Sequence, residues 1–209
     1  GDRVITITAT LADTNNFEFT SGGNKCNING RIAKATLTIA GKGNYLTTAS
    51  SKEYVSKTYD GNTTATVARD THYTVTSNGA GATLNTHFTI SAVYANANVG
   101  TPNVTVTLAI KDTDNYQLGT STCTLNGKIT SKSVTLTWTN TTFVYDGHNH
   151  KPTATFTGVD GTTITANVSG EQKNAGSNYT ATASYSNYTF TNATQTFSIT
   201  KKSVTIKSV

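Results

Sequence analysis

Methionine is absent from this sequence, and proline and cysteine occur only twice each. Acidic residues number 11, and charges of both signs make up only 13% of the chain. No stretch approaches the roughly 20 consecutive apolar residues that a membrane-crossing helix needs. The 16 lysines and arginines are scattered, so the net charge of +5 forms no basic stripe of the kind that marks nucleic-acid binding. Gly-x-Ser-x-Gly elbows, Gly-x4-Gly-Lys phosphate loops and Cys/His metal sets are all missing. A glycosidase carboxylate pair leaves no motif, but the acids here are few and dispersed. We therefore expect no enzymatic activity and no cofactor.

What is present is threonine: 46 residues of 209. Threonine is β-branched and suits the half-wet face of a sheet. Ten tyrosines and seven phenylalanines add to that bias. Period-two alternation recurs along the chain, as in Val134, Leu136 and Trp138 against Thr135 and Thr137. Strands are predicted at 35–39, 65–68, 72–77, 87–94, 103–110 and 116–126. Further strands are predicted at 133–139, 151–158, 163–169, 178–185 and 188–200. No window of ten residues carries helical periodicity. Such closely spaced strands predict an antiparallel sandwich or small barrel.

The chain also repeats itself. "ITITATLADTNNF" at 5–17 aligns without a gap with "VTVTLAIKDTDNY" at 104–116, and "CNINGRI" at 26–32 with "CTLNGKI" at 123–129. Cys26 and Cys123 thus occupy equivalent positions in successive copies. A linear array would hold them far beyond the roughly 4.4–6.8 Å that a disulfide needs, so two free, largely buried thiols are expected. "ITSKSVTL" at 129–136 recurs as "ITKKSVTI" at 199–206, with "IAKATLTI" at 32–39 a looser copy. These read as junction strands between modules. They divide the chain into the C-terminal part of a module at 1–32, a long module at 33–131, a shorter one at 132–201, and a first strand at 202–209. Gly1-Asp2 leads straight into a strand-like run, so the chain reads as a fragment of something longer. Truncated modules leave strand edges open, and edge pairing between chains is expected there.

Tyr59-Asp60-Gly61 and Tyr145-Asp146-Gly147 are turn signals: Asp accepts nearby amide hydrogens, and Gly takes positive φ cheaply. With its neighbours, the first resembles the YDG-type repeat of bacterial surface proteins, through Lys57, Tyr59, Asp60, Gly61, Asn98, Val99, Gly100, Asp114, Asn115 and Tyr116. The second resembles the shorter MBG-type (mostly β, glycine) repeat, through Tyr145, Asp146, Gly147, Pro152, Asn174, Ala175, Gly176 and Tyr179. The resemblance spans 33–201, and the long module departs from it by extra length around 71–93. It implies extracellular, non-enzymatic stalk or adhesin modules. The fold expected is tandem Ig-like antiparallel β-sandwiches in an elongated array, with small β-grasp-like or partly open barrel modules as the alternative.

The function expected is that of a spacer in a secreted bacterial cell-surface adhesin that presents a distal binding domain, with host glycans or matrix proteins as partners of the parent. The alternative is a carbohydrate- or host-protein-binding module using exposed loop-tip aromatics such as Tyr73, Tyr94 or Tyr185. His148 and His150 form a candidate metal pair, though two ligands do not make a site. Asp112 and Asp114 resemble part of a calcium loop without its distal glutamate. An exposed turn is the plainer reading of each. His72 and His87 are read as isolated surface residues. Asn-x-Ser/Thr triplets at Asn62, Asn103, Asn140, Asn167, Asn178, Asn187 and Asn192 matter only in a glycosylating host. A Lys–Asn isopeptide crosslink would suit a mechanically loaded stalk, but needs both residues buried beside a carboxylic acid, and no local pattern marks one.

Overall fold

The computed structural model describes residues 2–79 and 81–206. The protein is all-β, and among the described residues its one helical element is a short 3-10 turn at Gly43–Tyr45. In chain order the strands begin with β1 (Asp2–Thr8), β2 (Lys25–Arg31), β3 (Ala35–Gly41), β4 (Val55–Thr58) and β5 (Tyr73–Ser77). Then come β6 (Phe88–Tyr94), β7 (Val104–Ile110), β8 (Tyr116–Leu118), β9 (Thr122–Leu125) and β10 (Gly127–Thr130). The remainder are β11 (Lys132–Val134), β12 (Thr137–Thr139), β13 (Thr142–Val144), β14 (Thr153–Thr157) and β15 (Thr163–Thr165). The chain closes with β16 (Asn167–Ser169), β17 (Gly176–Ser184), β18 (Tyr188–Phe190) and β19 (Thr194–Thr200). Alternation drives burial directly: Val104, Val106 and Leu108 of β7 are buried while Thr105 between them is exposed. Each such apolar side chain contributes about 1.5–3 kcal/mol when fully buried.

The ladders are not uniformly antiparallel, which corrects the purely antiparallel pairing expected from the sequence. Parallel ladders include β3 with β8, β4 with β10, β11 with β18, and β13 with β19. Residues 65–68 form no strand, although their alternation predicts one. Four of the long predicted runs are also broken in two. Residues 119–121 separate β8 from β9, residues 135–136 separate β11 from β12, and Ala166 separates β15 from β16. A further break at 191–193 separates β18 from β19. In each case the two halves join different sheets. Alternation reports the face of a strand but is blind to a corner, where the chain changes sheets.

The chain divides into two compact units. The first comprises Gly1–Ile39, Val75–Ile90 and Leu108–Ser121. It holds the β1–β2 hairpin, in continuous antiparallel register from Asp2↔Arg31 to Thr8↔Lys25. It also holds the parallel ladder of β3 and β8, with Leu37, Ile39, Phe88, Leu108 and Tyr116 buried. The second comprises Ala40–Thr74, Ser91–Thr107 and Thr122–Val209. There the sheets β12-β14-β15 and β13-β19-β17-β16 enclose residues of the shorter repeat. One cluster is built on Leu136, Ala154, Phe156, Ala166 and Ala183, another on Ala181, Phe197 and Ile199, and Trp138 packs against both. The Trp138 indole N–H donates to the Asn192 carbonyl at 3.1 Å. The Asn192 side chain in turn exchanges two hydrogen bonds with the Leu136 backbone, which fixes the corner between β11 and β12.

Candidate functional site

The two Tyr-Asp-Gly stretches sit at equivalent places. Each follows a strand that runs parallel to the last strand of its repeat, β4 beside β10 and β13 beside β19. Tyr59 N–H donates to Thr130 O and Tyr145 N–H to Thr200 O, both at 2.8 Å. The chain then turns. Asp60 Oδ1 accepts the Asn62 N–H at 3.1 Å, and Asp146 Oδ1 accepts the His148 N–H at 2.9 Å. Gly61 and Gly147 take φ of +80° and +85°, where any Cβ is strained. Both aspartates therefore close a turn on the residue two places on, as the sequence predicts.

The side chain that completes each turn differs. Lys57 Nζ lies 2.7 Å from Asp60 Oδ1, and His150 Nε2 lies 2.8 Å from Asp146 Oδ1. The Lys57 bond is the main reason the Asp60 carboxyl sits below its ordinary value; for Asp146 the main cause is the His148 N–H. Lys57 also donates to Asn62 O at 2.6 Å and Asn62 Oδ1 at 3.0 Å. A lysine, an asparagine and an acid thus meet, the set an isopeptide crosslink requires. The chemistry points the other way. That chemistry wants buried partners and a protonated acid, whereas Asp60 is 46% exposed and its carboxyl is held in the charged form by the Lys57 hydrogen bond.

The imidazoles of His148 and His150 converge on one carboxylate oxygen, at 3.5 and 2.8 Å. The His150 ring stacks on Phe143 at 4.6 Å, while His148 points to solvent. Asp112 is occupied by Asn115, whose side-chain amide reaches both carboxylate oxygens at 3.2 and 3.0 Å. That bond is the leading cause of its lowered pKa. Asp114 is exposed. Among the described residues, no group of three or more His, Cys, Asp or Glu is arranged to hold a metal ion.

Several side chains are placed otherwise than expected. Tyr73 and Tyr94 are not loop-tip aromatics: each lies in a strand and is only 2% exposed. The Tyr94 hydroxyl donates to Val55 O at 2.8 Å, because a buried phenol needs a partner. Tyr185 does reach solvent, with its ring edge-on to Phe156 at 5.4 Å. Both cysteines are free, but Cys26 is exposed rather than buried, and Cys123 is half-buried.

A further pair of motifs escaped the sequence reading. His72 and His87 are half-buried turn residues, not surface ones. His72 Nδ1 accepts the Ala68 N–H and His87 Nδ1 the Thr83 N–H, both at 2.8 Å. Asp70 and Asn85 take φ of +66° and +65° in these turns. The Nζ of Lys42 donates to Asp70 O and that of Lys111 to Asn85 O. The signal was available in "DTHYTV" at 70–75 and "NTHFTI" at 85–90, a repeat too short to notice until the turns coincide.

The segment that leaves β10 is held by contacts from distant parts of the chain. After Thr130 the chain continues as β11, which pairs with β18 in the register Lys132↔Tyr188, Ser133↔Thr189, Val134↔Phe190. Lys132 N–H donates to Asn187 O at 3.0 Å. Asn187, held at φ +67°, accepts the Val99 N–H on its Oδ1 at 2.8 Å and donates from Nδ2 to Asn98 Oδ1 at 3.1 Å. The Tyr188 ring meets Tyr59 edge-on at 5.4 Å, and its hydroxyl accepts the Val159 N–H at 3.0 Å. Tyr59 and the Asn98-Val99 stretch therefore grip Asn187 and Tyr188. No protein-family profile matches this chain, and neither does any curated protein or solved structure.

Proposed function

We propose that this chain is a non-enzymatic spacer from a secreted bacterial cell-surface adhesin. It is built of tandem β-sandwich modules at 33–131 and 132–201 that resemble YDG and MBG repeats. The observation that carries this reading is the joint around Asn187 and Tyr188. A flexible tether would link its modules through solvated backbone. Here the connecting strand is hydrogen-bonded along its length, and Asn187 and Tyr188 beside it are clasped by two side-chain hydrogen bonds and a ring contact. Such a joint suits a rod that projects a binding domain away from a surface.

Rigidity is measurable by pulsed electron spin resonance. With Cys26 and Cys123 replaced by serine, labels on cysteines substituted for the exposed Lys52 and Glu171 report the distance across the joint. A narrow distribution is expected, broadening when Asn187 and Tyr188 are both changed to alanine. A distribution already as broad as that of a flexible linker overturns the spacer reading. Saturable binding of the wild-type chain to a glycan or matrix protein would replace it with the recognition reading.

A further inference from the structure

Asn-Gly occurs three times in the chain, at Asn29, Asn78 and Asn126. The pair carries a chemistry of its own. A glycine nitrogen, unshielded by a Cβ, can attack the preceding asparagine side chain and close a five-membered ring. Closure turns the asparagine about ψ until its Cβ lines up with that nitrogen, a rotation that a paired strand resists. The fold treats the three copies differently. Asn29 and Gly30 lie within β2, paired with Val4 and Arg3. Asn126 is 4% exposed, and its Nδ2 donates to Asn44 O at 3.2 Å and Leu46 O at 2.9 Å. Its main chain is tied on both sides, the N–H to Tyr45 O at 2.7 Å and the carbonyl to the Val55 N–H at 2.9 Å. At that position the side chain is shielded from water and the backbone is locked.

Asn78 is built otherwise. It and Gly79 are exposed in the bend after β5, and both border an open cleft with Lys34, His87, Asp112 and Tyr116. The Asn78 N–H reaches Thr36 O at 3.3 Å, and the Gly79 N–H reaches the Ser77 hydroxyl at 3.3 Å. Both bonds are long, so they hold the backbone weakly. The side chain is held closely instead: its Oδ1 accepts the Thr36 N–H from β3 at 2.7 Å. Only the oxygen of an amide can accept, so this contact fixes which end of the side chain meets β3. It also places a donor on the atom that turns negative when a nucleophile adds to Cγ. A preorganised donor in that place stabilises the tetrahedral intermediate of acyl transfer.

We propose that Asn78 is a self-modification site, at which the Gly79 nitrogen displaces the side-chain amide while the Thr36 N–H holds the oxyanion. The Gly79 nitrogen gives its proton to solvent and bonds to Asn78 Cγ. The carbonyl electron pair moves onto Oδ1. It returns as the Cγ–Nδ2 bond breaks, and the nitrogen takes a proton from water and leaves as ammonia. Water then opens the succinimide. Attack at Cγ leaves aspartate, with the main chain as before. Attack at the main-chain carbonyl leaves isoaspartate, with the chain routed through Cγ. In that product the oxygen that holds Thr36 belongs to the main chain, and the end of β5 is released from β3, its neighbour in the sheet. The site stands apart from the spacer reading, and either can fail alone.

The test incubates the 209-residue chain at mildly alkaline pH, folded or in guanidinium chloride. Peptide mass spectrometry follows the exchange of amide for carboxyl at all three sites. Folded, Asn78 is expected to react at least as fast as in denaturant, whereas folding slows Asn29 and Asn126 by about tenfold or more. This comparison needs no variant. Gly79→Ala is expected to slow the reaction at position 78 by about tenfold or more, because a Cβ crowds the attacking nitrogen. That Cβ would lie 3.1 Å from the Ala35 Cβ, so a thermal melt accompanies the measurement. In the isoaspartate product, hydrogen exchange at the Thr36 amide is expected to quicken. The proposal is overturned if folding slows Asn78 as it slows Asn126, if folded Gly79→Ala reacts as fast as wild type, or if the isoaspartate product protects the Thr36 amide as before.

Discussion

The β1–β2 hairpin and the β7–β9 ladder are two copies of one sequence pattern in opposite surroundings. They share a register: Ile5↔Ile28 and Ile7↔Cys26 in the first, Val104↔Leu125 and Val106↔Cys123 in the second. Yet Ile5, Ile7 and Ile28 are each about half exposed, while Val104, Val106 and Leu125 are 0% exposed. The difference teaches that pairing and burial are separate decisions. Backbone hydrogen bonds and a matched alternation suffice to set which residue faces which. They do not supply the second layer that removes the apolar face from water, and a two-stranded hairpin alone is only marginally stable.

The largest effect should come from truncating that face. Leu125→Ala is expected to cost about 2–5 kcal/mol, because the cavity it leaves cannot fully collapse. Ile28→Ala, its counterpart in the hairpin, should stay within about 0.5 kcal/mol of wild type. Urea denaturation of both variants checks the pair, and equal losses would break the comparison.

Next come the matched glycines. A Cβ on Gly127 would lie 2.2 Å from Pro102 O and 2.8 Å from the Tyr94 ring and Val104. On Gly30 it would meet mainly the mobile end of the Ile5 side chain, at 2.7 Å. Gly127→Ala is therefore expected to lose about 1–3 kcal/mol through overpacking, and Gly30→Ala far less. Thermal melts of the two proteins measure the gap.

The cysteines sharpen the contrast without mutation. Burial pushes the Cys123 thiol up, and Cys26 lies open to solvent. A thiol reagent at neutral pH should modify Cys26 at least roughly tenfold faster, since thiolate character and access govern the rate. Comparable rates would mean that the hairpin face is covered in solution.

The smallest effect belongs to the Tyr-Asp-Gly turns, which should behave alike in both repeats because both aspartates are solvated. Their folded carboxyls sit below the ordinary aspartate value. The stability they contribute is thus present above about pH 4 and lost as pH falls through the folded value. Asp60→Asn and Asp146→Asn should each narrow the stability difference between pH 7 and about pH 3, read from denaturation midpoints. A variant whose acid sensitivity matches wild type would remove that aspartate from the account.

Much of this was legible in the chain. The Asp60 and Asp146 turns, the alternation of Val104, Val106 and Leu108, and the equivalence of the two hairpins are all local or repeated patterns. The site was less legible. Lys57 and His150 reach corresponding aspartates from opposite sides of the turn, i−3 and i+4, so no shared spacing announces them. Tyr73 and Tyr94 were misplaced because an aromatic on an alternating strand looks the same whether its face is wet or covered. The His72 and His87 turns were missed because an imidazole that accepts a backbone amide leaves no mark beyond a short repeated string.

By itself, then, the amino-acid order determined that the protein would be extended chain, where it would turn, and which stretches are copies of one another. These depend on interactions within a few residues or on duplicated text. Only the tertiary structure decided that β3 lies beside β8 and β13 beside β19, that long strands break where they change sheets, and that Asn187 is clasped by Asn98 and Val99. Those contacts join residues far apart in the chain, and the sequence pattern of either partner carries no record of the other.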